Sequence, residues 1–178
     1  MSENNVTADD IKQAIRNVPD FPELGIQFKD ITPVLAHGRL FAGTIELLAQ
    51  RHASGSIDSV VGIDARGFIF AAAVAVRLGV GFVPVRKKGK LPFDTHEESY
   101  DLEYGSNTVA IHTDAVSKGS RVLLMDDLLA TGGTAAAAIT LLEKLGAEIV
   151  EVSFLIELGF LEGRAKLGDA NVFSLITY

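Results

Sequence analysis

Along this chain, short β-branched apolar runs alternate with longer stretches in which apolar residues recur at helical spacing. SVVGI at 59–63 predicts a strand, 68–78 a buried helix closed by Gly79, and GFVPV at 81–85 the next strand. That spacing fits a βαβ unit with a parallel sheet. Pro84 predicts a sheet edge or a strand end, because proline cannot donate to a ladder. TVAIHT at 108–113 alternates as a strand, and RVLLMDD, ending at 127, reads as a central one. Residues 134–145 predict a helix stopped at Gly146, 148–156 a strand, 160–167 a short helix and 172–176 a last strand. Upstream, 8–17 predict a short helix capped by Asp9 or Asp10, with Ile11 and Ile15 as an i, i+4 pair and Pro19 and Pro22 as its stop. Residues 21–35 read as a loop, and Leu40, Phe41, Ile45, Leu48 and Ala49 restore helical spacing over 39–52. Residues 86–105 interrupt the alternation with charged positions, Gly89 and Pro92, the pattern of a functional loop or lid inserted in a compact fold.

The alternation predicts an α/β class with a mostly parallel central sheet flanked by helices, in a single domain over 1–178. With 48% of its residues hydrophobic, the chain has the makings of a core and not of a disordered segment. A formal charge of −7 argues against a nucleic-acid groove, though a local basic cluster still suffices for one phosphorylated small molecule. The absence of cysteine excludes disulfides, thiolate metal sites and cysteine nucleophiles. The polar, acidic start is unlike a signal peptide, and no apolar run reaches membrane-spanning length, so a cytoplasmic protein without a membrane partner is expected.

The segment 122–134, VLLMDDLLATGGT, carries the chemistry. An apolar strand delivers Asp126 and Asp127 to its carboxyl end, where ligands bind in parallel α/β sheets. Ionised carboxylates accept hydrogen bonds, and the 2- and 3-hydroxyls of a ribose donate them. Ala130, Thr131, Gly132, Gly133 and Thr134 then open a helix, whose first N–H groups favour a phosphate dianion. The glycines let the backbone approach closely, and the threonines add hydroxyls. The segment reads as a cradle for a ribose 5-phosphate. Without its glycines and threonines, a strand ending in Asp-Asp would equally be a plain strand-to-helix connection. No GxxxxGK[ST] and no strand-borne GxGxxG is present.

This segment resembles the phosphoribosyl pyrophosphate motif of type I phosphoribosyltransferases, and its DDLLATGGT form that of the members acting on adenine. FPELGIQFKDITPVL, GIDARGFIF, RKKGKLP, YDLEYG and FLIEL follow in family order, so the resemblance spans nearly the whole chain. It implies a type I phosphoribosyltransferase fold with an N-terminal hood at about 1–36 and a flexible catalytic loop at about 87–105. It implies purine salvage: adenine plus phosphoribosyl pyrophosphate (PRPP) giving AMP and pyrophosphate, with Mg²⁺ held mainly by the diphosphate and water. No dedicated metal cage is expected, and His96-Glu97-Glu98 lacks the second histidine of a zinc motif. A homodimer is implied as well, and apolar residues at 30–50 lend that some support.

The resemblance also distributes roles. Asp64, Ala65 and Arg66 match the pyrophosphate loop, where relatives often carry a cis peptide at the position of Asp64-Ala65. Lys87 and Lys90 match pyrophosphate contacts, whereas Lys88 reads as a solvated lysine. Glu103 matches the catalytic carboxylate that exchanges a proton with purine N7, and Tyr104 a bridge from it to the ribose. Gln27, Phe28 and Lys29 match the adenine pocket, with Phe28 stacking on the base. Relatives commonly have Ser at 65 and Arg at 29. Two alternatives stay open: a PRPP-sensing regulator of transcription, and a transferase for guanine, xanthine or orotate.

Overall fold

A computed structural model of the chain describes residues 5–101 and 105–178. Two compact units are present, Met1–Arg51 and His52–Tyr178. In the first, helix α1 spans Ala8–Ala14. Its cap is Thr7, not Asp9 or Asp10. The Thr7 hydroxyl accepts from Asp10 N while the Asp10 carboxylate accepts from Thr7 N, a reciprocal capping box. These bonds to Thr7 hold the Asp10 carboxyl below its ordinary range.

The helix ends at Ala14, earlier than the prolines suggested, because Arg16–Pro19 forms strand β1. β1 pairs antiparallel with β2, Gln27–Asp30, inside the segment expected to be a loop. Neither strand is long or apolar, so only their mutual pairing makes them strands. Helices α2, Thr32–Ala36, and α3, Gly38–Ala49, follow. Ile31, Val34, Ile45, Leu48 and Ala49 are buried, so the apolar content of 30–50 goes into the protein interior and does not itself argue for a dimer.

The second unit contains, among the described residues, a seven-stranded sheet in the order β5-β6-β4-β3-β7-β8-β9. β3 (Ser59–Ile63) lies parallel to both β4 (Gly81–Lys87) and β7 (Arg121–Leu129). β8 (Glu148–Glu157) and β9 (Val172–Thr177) continue in parallel. β5 (Thr95–Asp101) and β6 (Ser106–His112) complete the sheet in antiparallel pairing. Val122, Leu123, Leu124 and Met125 of β7 are all buried, as their unbroken apolar run requires of a strand covered on both faces. Helix α4, Gly67–Leu78, packs on β3 and β7, and α5, Gly133–Lys144, follows β7. Two short 3₁₀ turns, Gly159–Leu161 and Gly163–Leu167, stand where one helix was expected. Asp58 and Arg121 tie the entries of β3 and β7 together through Nη2–Oδ1 at 2.6 Å and Nε–Oδ2 at 3.1 Å.

Pro84 sits in a strand with neighbours on both sides, yet β6 pairs only with Arg86 and Lys87 of β4. Residues 81–85 have β3 alone beside them, so the proline occupies a local edge inside the sheet. The insertion at 86–105 is also more regular than a loop, since Thr95–Asp101 is a strand. Several of its charges are paired: Lys88 meets Glu97 at 2.7 Å, and Lys144 of α5 binds Glu98. No helix among the described residues is long and apolar enough to cross a membrane.

Gly62 sets the closeness of α4 to the sheet. A Cβ there would lie 2.7 Å from both Ala71 Cβ and Phe82 Cε2. Gly62→Ala is therefore expected to lower unfolding stability by about 1–3 kcal/mol through overpacking. Urea denaturation followed by circular dichroism checks this, and an unchanged midpoint would mean the Phe82 ring yields without strain.

Candidate active site

The site begins where β7 loses a neighbour. β3 pairs with β7 only as far as Gly62↔Met125, while β8 accompanies β7 on to Leu129↔Glu157. The strand thus runs two residues beyond the expected end at Asp127, with its β3 side open from Asp126 onward. Asp127 is 6% exposed, and its backbone N–H donates to Asp126 Oδ1 at 2.8 Å. Gly67, at the start of α4, lies against this carboxylate, since a Cβ there would sit 2.6 Å from Asp126 Oδ1.

The cradle follows directly. Gly132, with φ 82°, is the N-cap of α5 and offers no side-chain cap, so the N–H groups of the first turn face a small hollow of about 70 Å³. Asp126 and residues 128–135 line it, which brings Ala130, Thr131, Gly132, Gly133 and Thr134 together as the motif predicted. Its back wall was not foreseen. A Cβ on Gly132 would meet Gly163 O at 2.3 Å, and one on Gly163 would meet Ala130 O at 2.1 Å, so two backbones touch here with no room for side chains. Arg164 fixes that wall. Its Nε and Nη2 donate to the two carboxylate oxygens of Glu157 at 3.1 and 2.5 Å, and its Nη1 to Val172 O at 2.7 Å. This fork holds the Glu157 carboxyl below its ordinary range.

A larger cavity of about 680 Å³ adjoins the cradle. Asp64, Ala65, Arg66, Lys87, Lys90, Asp126, Asp127, Ala130 and Thr134 all line it, as do Arg86, Tyr100 and Asn107, which the motif reading left out. The Asp64-Ala65 peptide is cis, as the resemblance implied. Arg66 Nε meets Asp127 Oδ2 at 2.6 Å, and Arg86 Nε donates to Asp64 Oδ2 at 3.2 Å. Arg86 Nη1 reaches Lys90 O at 3.1 Å and so shapes the lysine turn. Arg86 stands in the quoted RKKGKLP run, so its signal was present. Tyr100 and Gly163 announced themselves less, because their relevance depends on what folds against them. Lys88 faces Glu97 instead.

Burial first, and then the negative charge of Asp127, push the Asp126 carboxyl well above its ordinary range; Arg66 pulls the other way. The two carboxylates are therefore unequal. Asp127 is paired with Arg66, while Asp126 retains a proton to higher pH than a free carboxyl. A cavity floored by this pair and walled by two arginines and two lysines suits a polyanion that also presents hydroxyl donors.

Gln27, Phe28 and Lys29 lie on β2 of the first unit. There Phe28 makes an edge contact with Phe21, centroids 5.1 Å apart, and Lys29 Nζ donates to Asn17 Oδ1 at 2.6 Å. Glu103 and Tyr104 lie outside the described residues.

A mostly parallel sheet whose open strand end carries a carboxylate pair and leads through a glycine-rich turn into a helix has the architecture of type I phosphoribosyltransferases. The family model for the phosphoribosyl transferase domain matches residues 30–176. The adenine phosphoribosyltransferase of Roseiflexus castenholzii is 56% identical over 164 residues, 92% of this chain and 95% of the relative. The crystal structure of adenine phosphoribosyltransferase from Thermoanaerobacter pseudethanolicus superposes with a TM-score of 0.93 at 51% identity, covering 97% of this chain and 100% of its own. That of the Saccharomyces cerevisiae adenine phosphoribosyltransferase, complexed with an iminoaltritol bisphosphate and adenine, gives a TM-score of 0.90 at 44% identity, covering 94% and 97%. The chain belongs to the adenine phosphoribosyltransferase family.

Two pH-linked outcomes follow from these carboxylates. Asp126 ionises at about its ordinary 3.8 when unfolded and higher when folded. The stability its proton confers is complete below that value and is lost as pH rises through the folded one. Asp126→Asn should thus stabilise the protein at neutral pH, by about 2–4 °C in melting temperature per kcal/mol gained. A lower melting temperature would contradict the assignment. Glu157 runs the other way. Its folded value lies below the ordinary 4.5, so the stability it confers is full above 4.5 and disappears as pH falls through the folded value. Glu157→Gln should cost about 1.5–3 kcal/mol at pH 7, and that deficit should shrink on acidification; urea titrations at pH 7 and at pH 3.5 measure it.

Proposed function

We propose that this chain transfers the phosphoribosyl group of PRPP to adenine, giving AMP and pyrophosphate in purine salvage. The observation that carries the reading is the convergence of carboxylate pair, cradle and cation cluster on one cavity at the carboxyl ends of β3, β4 and β7. Asp127 and Asp126 engage the ribose 2- and 3-hydroxyls, and the N–H groups of 131–134 the 5-phosphate. Arg66, Lys87 and Lys90, with Arg86 behind them, hold the pyrophosphate together with the backbone of Asp64 and Ala65.

As the C1–O bond to pyrophosphate breaks, the ribose gains oxocarbenium character. Concentrated positive charge on the leaving diphosphate lowers that barrier. Mg²⁺ would fit this arrangement as a hard cation held mainly by diphosphate oxygens and water, with at most the Asp126–Asp127 pair from the protein, and would supply charge neutralisation for the leaving group. Among the described residues no group of three metal-ligating side chains gathers. Glu103 exchanges a proton with purine N7 while N9 forms the new bond, and Tyr104 bridges it to the ribose. Phe28 stacks on adenine, with Gln27 and Lys29 at its edge.

We place the enzyme in the cytoplasm as a homodimer, without nucleic-acid or membrane partners. Ile69 and Val76, two turns apart on α4, are 39% and 82% exposed and supply an apolar face for a second copy.

The test is to incubate the protein with PRPP, Mg²⁺ and each of adenine, guanine, xanthine and orotate. AMP formation from adenine alone is expected. Its absence would sink the reading, and turnover of another base would redirect it. Glu103→Ala should lower kcat/KM by about 10²–10⁴-fold, and an unchanged value would remove the proton-transfer role.

A further inference from the structure

Tyr100 lies on β5, inside the polar insertion, yet its side chain reaches the start of α5. Its hydroxyl accepts from Thr134 Oγ1 at 2.9 Å. Its ring lies over the first turn of α5, where a Cβ on Gly133 would come within 3.0 Å of Tyr100 Cδ2. Tyr100 walls the 680 Å³ cavity and, on its other side, a hollow of about 390 Å³ between β5 and α5. It thus stands between the larger cavity and the hollow on the insertion side.

The two hydroxyls hold two protons between them, and the single bond that joins them uses one. With Thr134 donating, its one proton goes to Tyr100. A phenol that accepts on its oxygen still has its own proton to give, and among the described residues that proton meets no acceptor. The phenol opens on the cavity beside Ala130 and Thr134. A group there that only accepts hydrogen bonds is its natural partner, and a phosphate dianion is such a group.

We propose that Tyr100 is a binding residue for the 5-phosphate, donating its phenolic proton to a phosphate oxygen, while Thr134 acts through Tyr100 as a positioning residue. The proposal rests on the cradle reading given above. It makes the insertion contribute to ground-state phosphate binding, three residues ahead of Glu103 in sequence, so that one strand both senses the phosphate and leads to the proposed catalytic carboxylate.

Tyr100→Phe keeps the ring on Gly133 and removes only the hydroxyl. Calorimetric titration with ribose 5-phosphate should show Kd rising about tenfold or more, the loss of one hydrogen bond to a charged group, while the affinity for pyrophosphate with Mg²⁺ stays within about twofold. Thr134→Val should weaken ribose 5-phosphate in the wild-type background and add little in Tyr100→Phe. Unchanged or tighter binding of ribose 5-phosphate by Tyr100→Phe overturns the proposal. So does an equal loss for pyrophosphate, which would mark a merely structural role. An undiminished Thr134→Val effect in the Tyr100→Phe background overturns the relay. If the wild type binds pyrophosphate but not ribose 5-phosphate, the cradle reading fails and takes this proposal with it; if both bind and Tyr100→Phe matches the wild type, Tyr100 alone is misassigned.

Discussion

Beyond Met125, β7 keeps β8 on one side and loses β3 on the other, and the site is built on that asymmetry. One edge of the strand remains anchored in the ladder through Glu157, which keeps its direction fixed. The other opens, so Asp126 and Asp127 project beside the ends of β3 and β4 while still held by a rigid sheet. A carboxylate pair on a free loop would sample many positions and lose ordering entropy on each binding event. Here that ordering is achieved by folding, before any ligand arrives.

Placing two carboxylates together is electrostatically unfavourable, and the surroundings distribute the penalty. Arg66 pairs with Asp127, the Asp127 N–H donates to Asp126 Oδ1, and burial holds the Asp126 carboxyl well above its ordinary range. A ribose that donates two hydroxyl protons and a diphosphate that engages Arg66, Arg86, Lys87 and Lys90 would satisfy groups that now compensate one another. The unliganded site is in this sense pre-organised but internally strained in charge, the usual compromise of a binding site placed on a stable scaffold. The contact of Gly132 with Gly163 shows the same logic in backbone terms. The loop is held open by a wall too close for any side chain, and Arg164 with Glu157 keeps the wall in place.

The sheet strands and the large helices were legible because their apolar runs are strong and local: 59–63, 68–78, 121–127 and 148–156 match observed elements closely. The missed strands share one cause. β1, β2 and β5 carry polar or mixed residues and become strands only by pairing with a partner, information that no window of sequence holds. The cap of α1 went to Thr7 because a capping box needs its acid three residues after the cap, so Asp10 serves as the reciprocal partner and not as the cap. Pro84 was read correctly as an edge, but the edge is a gap in pairing and not the border of the sheet.

By itself the sequence determined the alternating α/β plan, the strand-to-helix junction at 126–134 and the chemistry that Asp, Gly and Thr bring there, since all of these depend on residues adjacent along the chain. Only the tertiary structure decided which distant groups share the cavity. Arg66 meets Asp127, Arg86 meets Asp64, and Gly163 backs Gly132 across separations that local pattern cannot encode. It also decided that Lys88 is committed to Glu97 while Lys87 and Lys90 line the cavity, because the chain turns after the end of β4 at Lys87, with the Lys90 N–H donating to Lys87 O at 3.2 Å, and that turn depends on how the segment folds.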